Sequence, residues 1–326
     1  MGAEPNGQPR AVAVVGTGEI GRSWIRVFAR AGYETRAWDP EPEQLASAWE
    51  WMKAELKRAR KEQGLRKRVV RSEREHVVRC ATLQEAVDGV IWVQESGPEV
   101  LEQRRPIFAQ LDKLTPPKAV LASSTSMLDM TAIAKGLSGA NRCVIAHPVN
   151  PPHIIPAVEV VGGHRTDPLV LRRAVRFLER LGLTPVLLRG YVTGLLLHRM
   201  EAALVREALH LVKEGFASPE AVDAVMRDGL GLRWALMGPF AVGNTSTDGG
   251  IREFFRRYRP VFERVCADLC GDLTLTPEVV DQLAKSVDGT WRRVSRAQQR
   301  AWRDDMVGRI RHLKEAHPVK PPDPDD

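Results

Sequence analysis

Short apolar runs alternate with helical patterns over the first two thirds of the chain, and then the short runs stop. Strand-like stretches fall at residues 11–15, 34–38, 90–94, 118–123, 142–147, 157–161 and 184–188. Helical stretches lie between them, including a long one at 41–63 that follows Asp39-Pro40 and ends near Gly64. Alternation of this kind predicts βαβ units and a parallel sheet. After about residue 190 the pattern is helical only, at 192–214, 219–229, 250–268, 276–287 and 292–315. Gly215 marks a helix stop, and Ser218-Pro219-Glu220 a helix start with proline in the first turn. The expected architecture is α/β: a Rossmann-like, doubly wound, mostly parallel sheet over 11–190, followed by an all-α domain over 191–316. Polar residues 1–10 and the Pro/Asp-rich residues 317–326 are expected to be disordered tails.

The first apolar run ends in a motif. Residues 11–24 read AVAVVGTGEIGRSW, so a buried-strand pattern is followed at once by Gly16-x-Gly18-x-x-Gly21 and then by a helix. The next strand-like run ends in Asp39, 18 residues past Gly21. Strand, glycines, helix and distal carboxylate together form a dinucleotide-binding signature, far more specific than three glycines alone. Gly16 permits the tight turn, Gly18 lets the backbone approach the pyrophosphate, and Gly21 lets helix and strand pack closely, with the helix N-terminus toward the phosphates. Asp39 would accept from the ribose and repel a 2′-phosphate, which selects NAD over NADP. Arg36 argues weakly the other way, from inside the strand.

Composition narrows the class. The 326 residues, 43% hydrophobic and 27% charged, suit a soluble globular chain of two domains. No apolar stretch reaches the roughly 20 residues that span a bilayer, and residues 1–10 carry no secretory h-region. Cys80, Cys143, Cys266 and Cys270 lack metal-ligand spacing, so they read as reduced thiols of a cytoplasmic protein with no metal site. The net charge of +7 is partly local: ten Lys/Arg and three Glu lie between Lys57 and Arg79. A solvated helix and loop explains this run best, and a landing surface for an anionic ligand such as a phosphorylated carrier comes second. It carries no aromatics for base stacking, which argues against nucleic acid.

Alcohol oxidation needs a base near neutral pH, and histidine supplies it when a carboxylate fixes its tautomer. In RCVIAHPVNPPHIIPAVEVV, His147 ends one strand and Glu159 lies in the next. A glutamate inside so apolar a run calls for a partner. His153, in the connecting loop, reads as structural or peripheral. LASSTS puts hydroxyls, including Ser126, at the carboxyl end of another strand, where doubly wound sheets bind ligands. The alternative is a cap for the following helix.

With these residues in place, the chain resembles the 3-hydroxyacyl-CoA dehydrogenase superfamily, and within it the lambda-crystallin (L-gulonate 3-dehydrogenase) branch, from about residue 11 to 316. GTGEIGRSW, WDPEPEQ, VQESGPE, ASSTS, AHPVNPPHIIPAVEVV, VMRDGLGLRWALMGPF and AWRDDMVGRIRHLK carry the resemblance. It implies a catalytic His147–Glu159 pair, Ser126 on the substrate oxygen and Asn150 beside the substrate. It places Glu19, Ile20, Asp39, Glu99 and Arg104 against NAD, and it implies a homodimer formed through the helical domain. The implied activity is oxidation of the 3-hydroxyl of a small, L-gulonate-like polar acid. L-carnitine, an acyl-CoA substrate, or an inactive crystallin-like dinucleotide binder are the alternatives. His198 stands where the family pattern has an active-site Asn, and Asp129-Met-Thr131 where the branch has Leu-Pro-Ser.

Overall fold

The computed structural model describes residues 11–62, 66–269, 271, 277, 283–284 and 294–317. Eight strands form one sheet: β1 (Ala11–Val15), β2 (Glu34–Trp38), β3 (Val77–Arg79), β4 (Trp92–Glu95), β5 (Val120–Ser123), β6 (Cys143–Pro148), β7 (Ala157–Gly162) and β8 (Thr184–Leu187). Their spatial order is β3-β2-β1-β4-β5-β6-β7-β8. Every neighbouring pair is parallel except β6–β7, which is antiparallel. The chain builds outward from β1 in one direction and then returns to build in the other. The carboxyl ends of β1 and β4 therefore flank a switch point, where open α/β sheets bind ligands.

The sheet is Rossmann-like because its central strands are apolar on both faces and need helices on both sides. α1 (Glu19–Arg30), α2 (Pro42–Glu62) and α7 (Pro168–Arg180) supply Trp24, Phe28, Met52, Leu56 and Phe177 to one core, against Val12, Val14 and Trp92. Phe177 stacks on Trp92 with ring centroids 4.6 Å apart. On the other face, α4 (Leu83–Val87), α5 (Leu101–Leu114) and α6 (Met130–Ile133) bury Leu83, Phe108, Leu111 and Ile133 against Ala13, Val93, Leu121 and Ile145. α3 (Lys67–Glu75) completes a hairpin with α2 and leads into β3.

The second part is helical: α8 (Leu197–Lys213), α9 (Pro219–Ala224), α10 (Gly231–Trp234), α11 (Pro239–Thr245), α12 (Gly250–Asp268) and α13 (Arg296–Ala316). Gly215, at φ +76°, ends α8, and Ser218 caps α9 by accepting from the Ala221 N–H. By contact the chain divides into two compact units, 1–197 and 198–326.

Several details depart from the sequence expectations. β3 was not expected: it has three residues in a charged stretch, and pairing with β2 defines it. Residues 192–196 were expected to open a helix but form a turn, with Gly194 at φ +78° and Leu195 at φ +50°. The helix expected to end at 229 continues to Trp234 through a π turn at Val225–Leu230. α11 is additional. Gly64, Cys270, the tails 1–10 and 318–326, and most of the expected helix 276–287 lie outside the described residues.

A buried ionic cluster joins α1 to the α2–α3 hairpin. Arg26 Nη1 donates to Glu55 Oε1 at 2.9 Å, its Nε lies 3.5 Å from Glu73 Oε2, and Arg58 adds a second guanidinium on Glu55. Burial works against the Glu55 charge, but contacts from His153, Arg58 and Arg26 outweigh it and hold the carboxyl far below its usual range. His153, from the β6–β7 loop, has its proton affinity lowered, chiefly by burial and then by Arg26 and Arg30. Its folded form therefore binds a proton less readily than the unfolded chain does. Above the unfolded value of about 6.5 this histidine costs no stability. As pH falls below that value toward the lower folded one, stability is lost. Urea midpoints should drop between pH 7.5 and 5.5, and the drop should be shallower in His153→Asn; equal slopes would remove His153 as the cause.

Candidate active site

The turn after β1 is built as its glycines require. Gly16 has φ +87°, and a Cβ there would sit 2.9 Å from the Ser96 carbonyl carbon. A Cβ on Gly21 would overlap the Gly16 carbonyl oxygen, so this glycine sets how closely α1 approaches β1. Nothing lies within 4 Å of a Cβ built on Gly18. Gly18 caps α1 with no side-chain acceptor on the first N–H groups, and a free helix N-terminus of this kind suits an anion.

Beside this turn lies a cleft of about 470 Å³, lined by Gly16, Gly18, Trp38, Asp39, Glu41, Glu95, Gly97 and Arg104 among others. Asp39 Oδ2 accepts from the Thr17 amide at 2.6 Å and from its hydroxyl at 3.0 Å, while Oδ1 accepts from the Glu41 amide. The carboxylate is thus locked to the glycine turn, at the carboxyl end of β2. Arg36 bonds Glu34 and the Asp88 carbonyl.

The base candidates come from register. β6 and β7 pair antiparallel with His147 directly opposite Glu159. His147 Nδ1 lies 2.9 Å from Glu159 Oε2, and both side chains are buried. The other oxygen, Oε1, accepts from the Leu196 and Leu197 amides at 2.7 and 3.0 Å. Burial disfavours the Glu159 charge, but these three hydrogen bonds win and hold the carboxyl below its ordinary range. A carboxylate so held keeps its charge near neutrality and fixes the imidazole tautomer.

Beyond His147 the chain runs across α1. Asn150 Nδ2 donates to Glu19 Oε1 at 3.2 Å, which places the loop at the first turn of the dinucleotide helix. Ile20 packs at the edge of the core that α1 buries. Ser126 lies on a loop fastened by Glu99, whose carboxylate accepts from the Thr125 hydroxyl and the Ser126 and Met127 amides. The hydroxyl cluster is not a helix cap, since Asp129 caps α6. Arg104 is buried. It lies 2.9 Å from Glu95 Oε2 and donates to the Gly97 carbonyl, so it braces the wall of the cleft. His198, the second residue of α8, has Nδ1 3.2 Å from Glu201 Oε2.

Glu95, Ser96, Tyr191 and the Leu196–Leu197 amides were not among the residues expected here. Glu95 accepts from the Ser123 hydroxyl at 2.6 Å and from the Gly97 amide, and Tyr191 donates to the Met127 carbonyl. The signal for Glu95 was present: a carboxylate inside the buried run VIWVQE asks for a partner just as Glu159 does. The basic stretch partly frames a separate groove of about 1130 Å³ along β3, where Arg60, Lys67, Arg71, Arg74 and Arg79 surround Trp49 and Val70.

Comparison with known proteins shows the family. The NAD binding domain profile of 3-hydroxyacyl-CoA dehydrogenase matches residues 11–191, and the C-terminal domain profile of the same family matches 194–286. Lambda-crystallin of Oryctolagus cuniculus is 36% identical over 93% of this chain and 96% of its own. L-carnitine dehydrogenase of Streptomyces coelicolor is 38% identical over 86% of this chain and 88% of its own. In fold, the chain superposes with a TM-score of 0.76 on an NAD-dependent 5-formyl-3-hydroxy-2-methylpyridine 4-carboxylic acid 5-dehydrogenase, at 24% identity over 94% of this chain and 98% of that one. The chain belongs to the 3-hydroxyacyl-CoA dehydrogenase family and is, like its members, an NAD-dependent oxidoreductase of secondary alcohols.

Proposed function

We propose that the chain oxidises the 3-hydroxyl of a small polar, L-gulonate-like acid to the keto acid. The observation that carries this is the buried His147–Glu159 pair, on strands whose connecting loop is bonded to the first turn of the dinucleotide helix. NAD, when bound, supplies the hydride acceptor. Nδ1 of His147 is committed to Glu159, so Nε2 is the atom that takes the hydroxyl proton. The growing imidazolium charge is offset by a carboxylate that three donors keep ionised. Ser126 donates to the substrate oxygen and Asn150 lies beside it. Glu99 supports Ser126, and Arg104 braces the cofactor cleft. Asp39, Glu19 and Ile20 face the dinucleotide. Similarity to L-carnitine dehydrogenases makes carnitine the second candidate.

NADH absorbance with L-gulonate, L-carnitine and 3-hydroxybutyryl-CoA separates these substrates. Silence on all three would favour the other reading, a crystallin-like dinucleotide binder. His198 in place of the family Asn favours that reading, and recovery of turnover in His198→Asn would support it. The Asp39 carboxylate should make NAD bind at least tenfold better than NADP, about 1.4 kcal/mol. Asp39→Asn should narrow that ratio, and equal binding of the two cofactors by the parent would sink the assignment. We further infer a cytoplasmic homodimer. Cys80, Cys143 and Cys266 are free thiols, and the helical unit exposes Met200, Phe216, Leu232, Leu236 and Phe240. A 36.3 kDa species alone in sedimentation would contradict the dimer.

A further inference from the structure

α1 carries a polar stripe where a buried helix has little reason for one. Glu19, Ser23, Arg26 and Arg30 follow each other at spacings of four, three and four, so they share one face. The opposite side buries Trp24, Val27 and Phe28 in the core. The stripe meets the β6–β7 loop at three points. Glu19 Oε1 accepts from Asn150, Ser23 Oγ lies 2.9 Å from His153 Nδ1, and Arg30 Nη2 donates to the His153 carbonyl at 2.7 Å. His153 is buried, with its ring edge-on to Trp51 of α2 at 5.3 Å between centroids. Its Nε2 is 3.8 Å from Glu55 Oε1, within the Arg26–Glu55 cluster.

These contacts select one tautomer. With the Ser23 hydroxyl donating to Nδ1, the ring proton sits on Nε2 and faces the Glu55 carboxylate. The other tautomer would turn a lone pair toward that carboxylate. Burial, together with Arg26 and Arg30, outweighs the pull of Glu55 and favours the neutral ring. His153 is thereby held on every side: by Ser23 and Arg30 of α1, and by Trp51 and Glu55 of α2. Three residues before it is Asn150, and six before it is His147.

We propose that His153 is a positioning residue of the reaction: it sets the register of the β6–β7 loop on the dinucleotide helix and so fixes Asn150 and the end of the base strand. The proposal rests on the dehydrogenase reading and adds to it the element that aligns the substrate side with the cofactor side. A displacement of about 1 Å in such a part costs on the order of 10²-fold in rate. A histidine that only stabilised the fold would leave the kinetic constants of the folded fraction alone.

Three variants test it: His153→Leu, His153→Asn and Ser23→Ala. His153→Leu fills much of the volume without the acceptor; His153→Asn keeps an acceptor at the Nδ1 position; Ser23→Ala removes only the partner hydroxyl. With the full-length enzyme, kcat/KM for the hydroxy acid should fall roughly 30- to 100-fold in His153→Leu and about tenfold in Ser23→Ala. His153→Asn should recover most of the loss. The NAD dissociation constant, from fluorescence titration without substrate, should stay within about threefold of the parent. Amide exchange of 149–156 should speed up while exchange within α1 does not. A kcat/KM within threefold of the parent in both His153→Leu and Ser23→Ala would overturn the proposal, as would a parallel loss of NAD affinity. If His153→Leu does not fold, Ser23→Ala carries the decision. If the parent itself oxidises no substrate, the dehydrogenase reading fails separately, and loop exchange unchanged in the variants then overturns the positioning role by itself.

Discussion

His147→Ala should lower turnover by roughly 10² to 10⁴ while leaving NAD affinity within a few-fold of the parent. Removing the imidazole leaves the hydroxyl proton without a positioned acceptor, and His147 is absent from the walls of the cleft beside the glycine turn. Glu159→Gln should cost about 10² or more for a different reason. Three donors converge on this carboxylate: His147 Nδ1–H and the Leu196 and Leu197 amides. A carboxamide offers one oxygen and one NH₂ group. Either the NH₂ faces the Leu196 and Leu197 amides and both N–H groups lose their acceptor, or it faces Nδ1 and drives the ring to the tautomer with Nε2–H toward the substrate. In that tautomer the base is already protonated where it should accept. Steady-state kinetics beside a fluorescence titration of NAD reads both constants, and near-normal turnover in His147→Ala would remove the base assignment.

How much of this was legible beforehand depended on sequence distance. The glycine turn, Asp39 and the central strands are local patterns; β1 and β2 appear at the expected residues, and β4, β5 and β6 start one or two residues later than expected. The His147–Glu159 pair was legible because a glutamate buried in PAVEVV needs a partner and the nearest strand offers one. Its second clamp was not, because the Leu196 and Leu197 amides reach Glu159 from 37 and 38 residues away. They do so from a turn, with Leu195 left-handed, in a stretch whose apolar pattern reads as helix. Apolar periodicity cannot report φ. β3 escaped for the opposite reason: three residues carry no periodicity, and only pairing with β2 makes them a strand. His153 read as structural or peripheral in isolation, since its partners Ser23 and Glu55 lie 130 and 98 residues away.

The glycines of the first turn should fail in two distinct ways when given a methyl group. Gly21→Ala drives its Cβ into the Gly16 carbonyl oxygen, which belongs to the backbone and has no rotamer to escape through. α1 must back away from β1, so the variant should lose about 1–3 kcal/mol of stability, typical of overpacking. A melting temperature several degrees lower follows, at roughly 2–4 °C per kcal/mol for a unit this size. The amides at the start of α1 move with the helix, so NAD affinity should fall by around 10²-fold as well. Gly18→Ala meets no protein atom within 4 Å. Its melting temperature should therefore stay within a degree or two of the parent, yet the new methyl occupies the space a pyrophosphate must enter. NAD affinity should again fall by at least tenfold, this time in a protein that is otherwise intact. Differential scanning fluorimetry with and without NAD separates the two. Gly21→Ala should melt early in both conditions, and Gly18→Ala should melt normally without NAD but gain little from adding it. A Gly18→Ala protein stabilised by NAD as strongly as the parent would show that the cofactor does not approach the backbone at this turn.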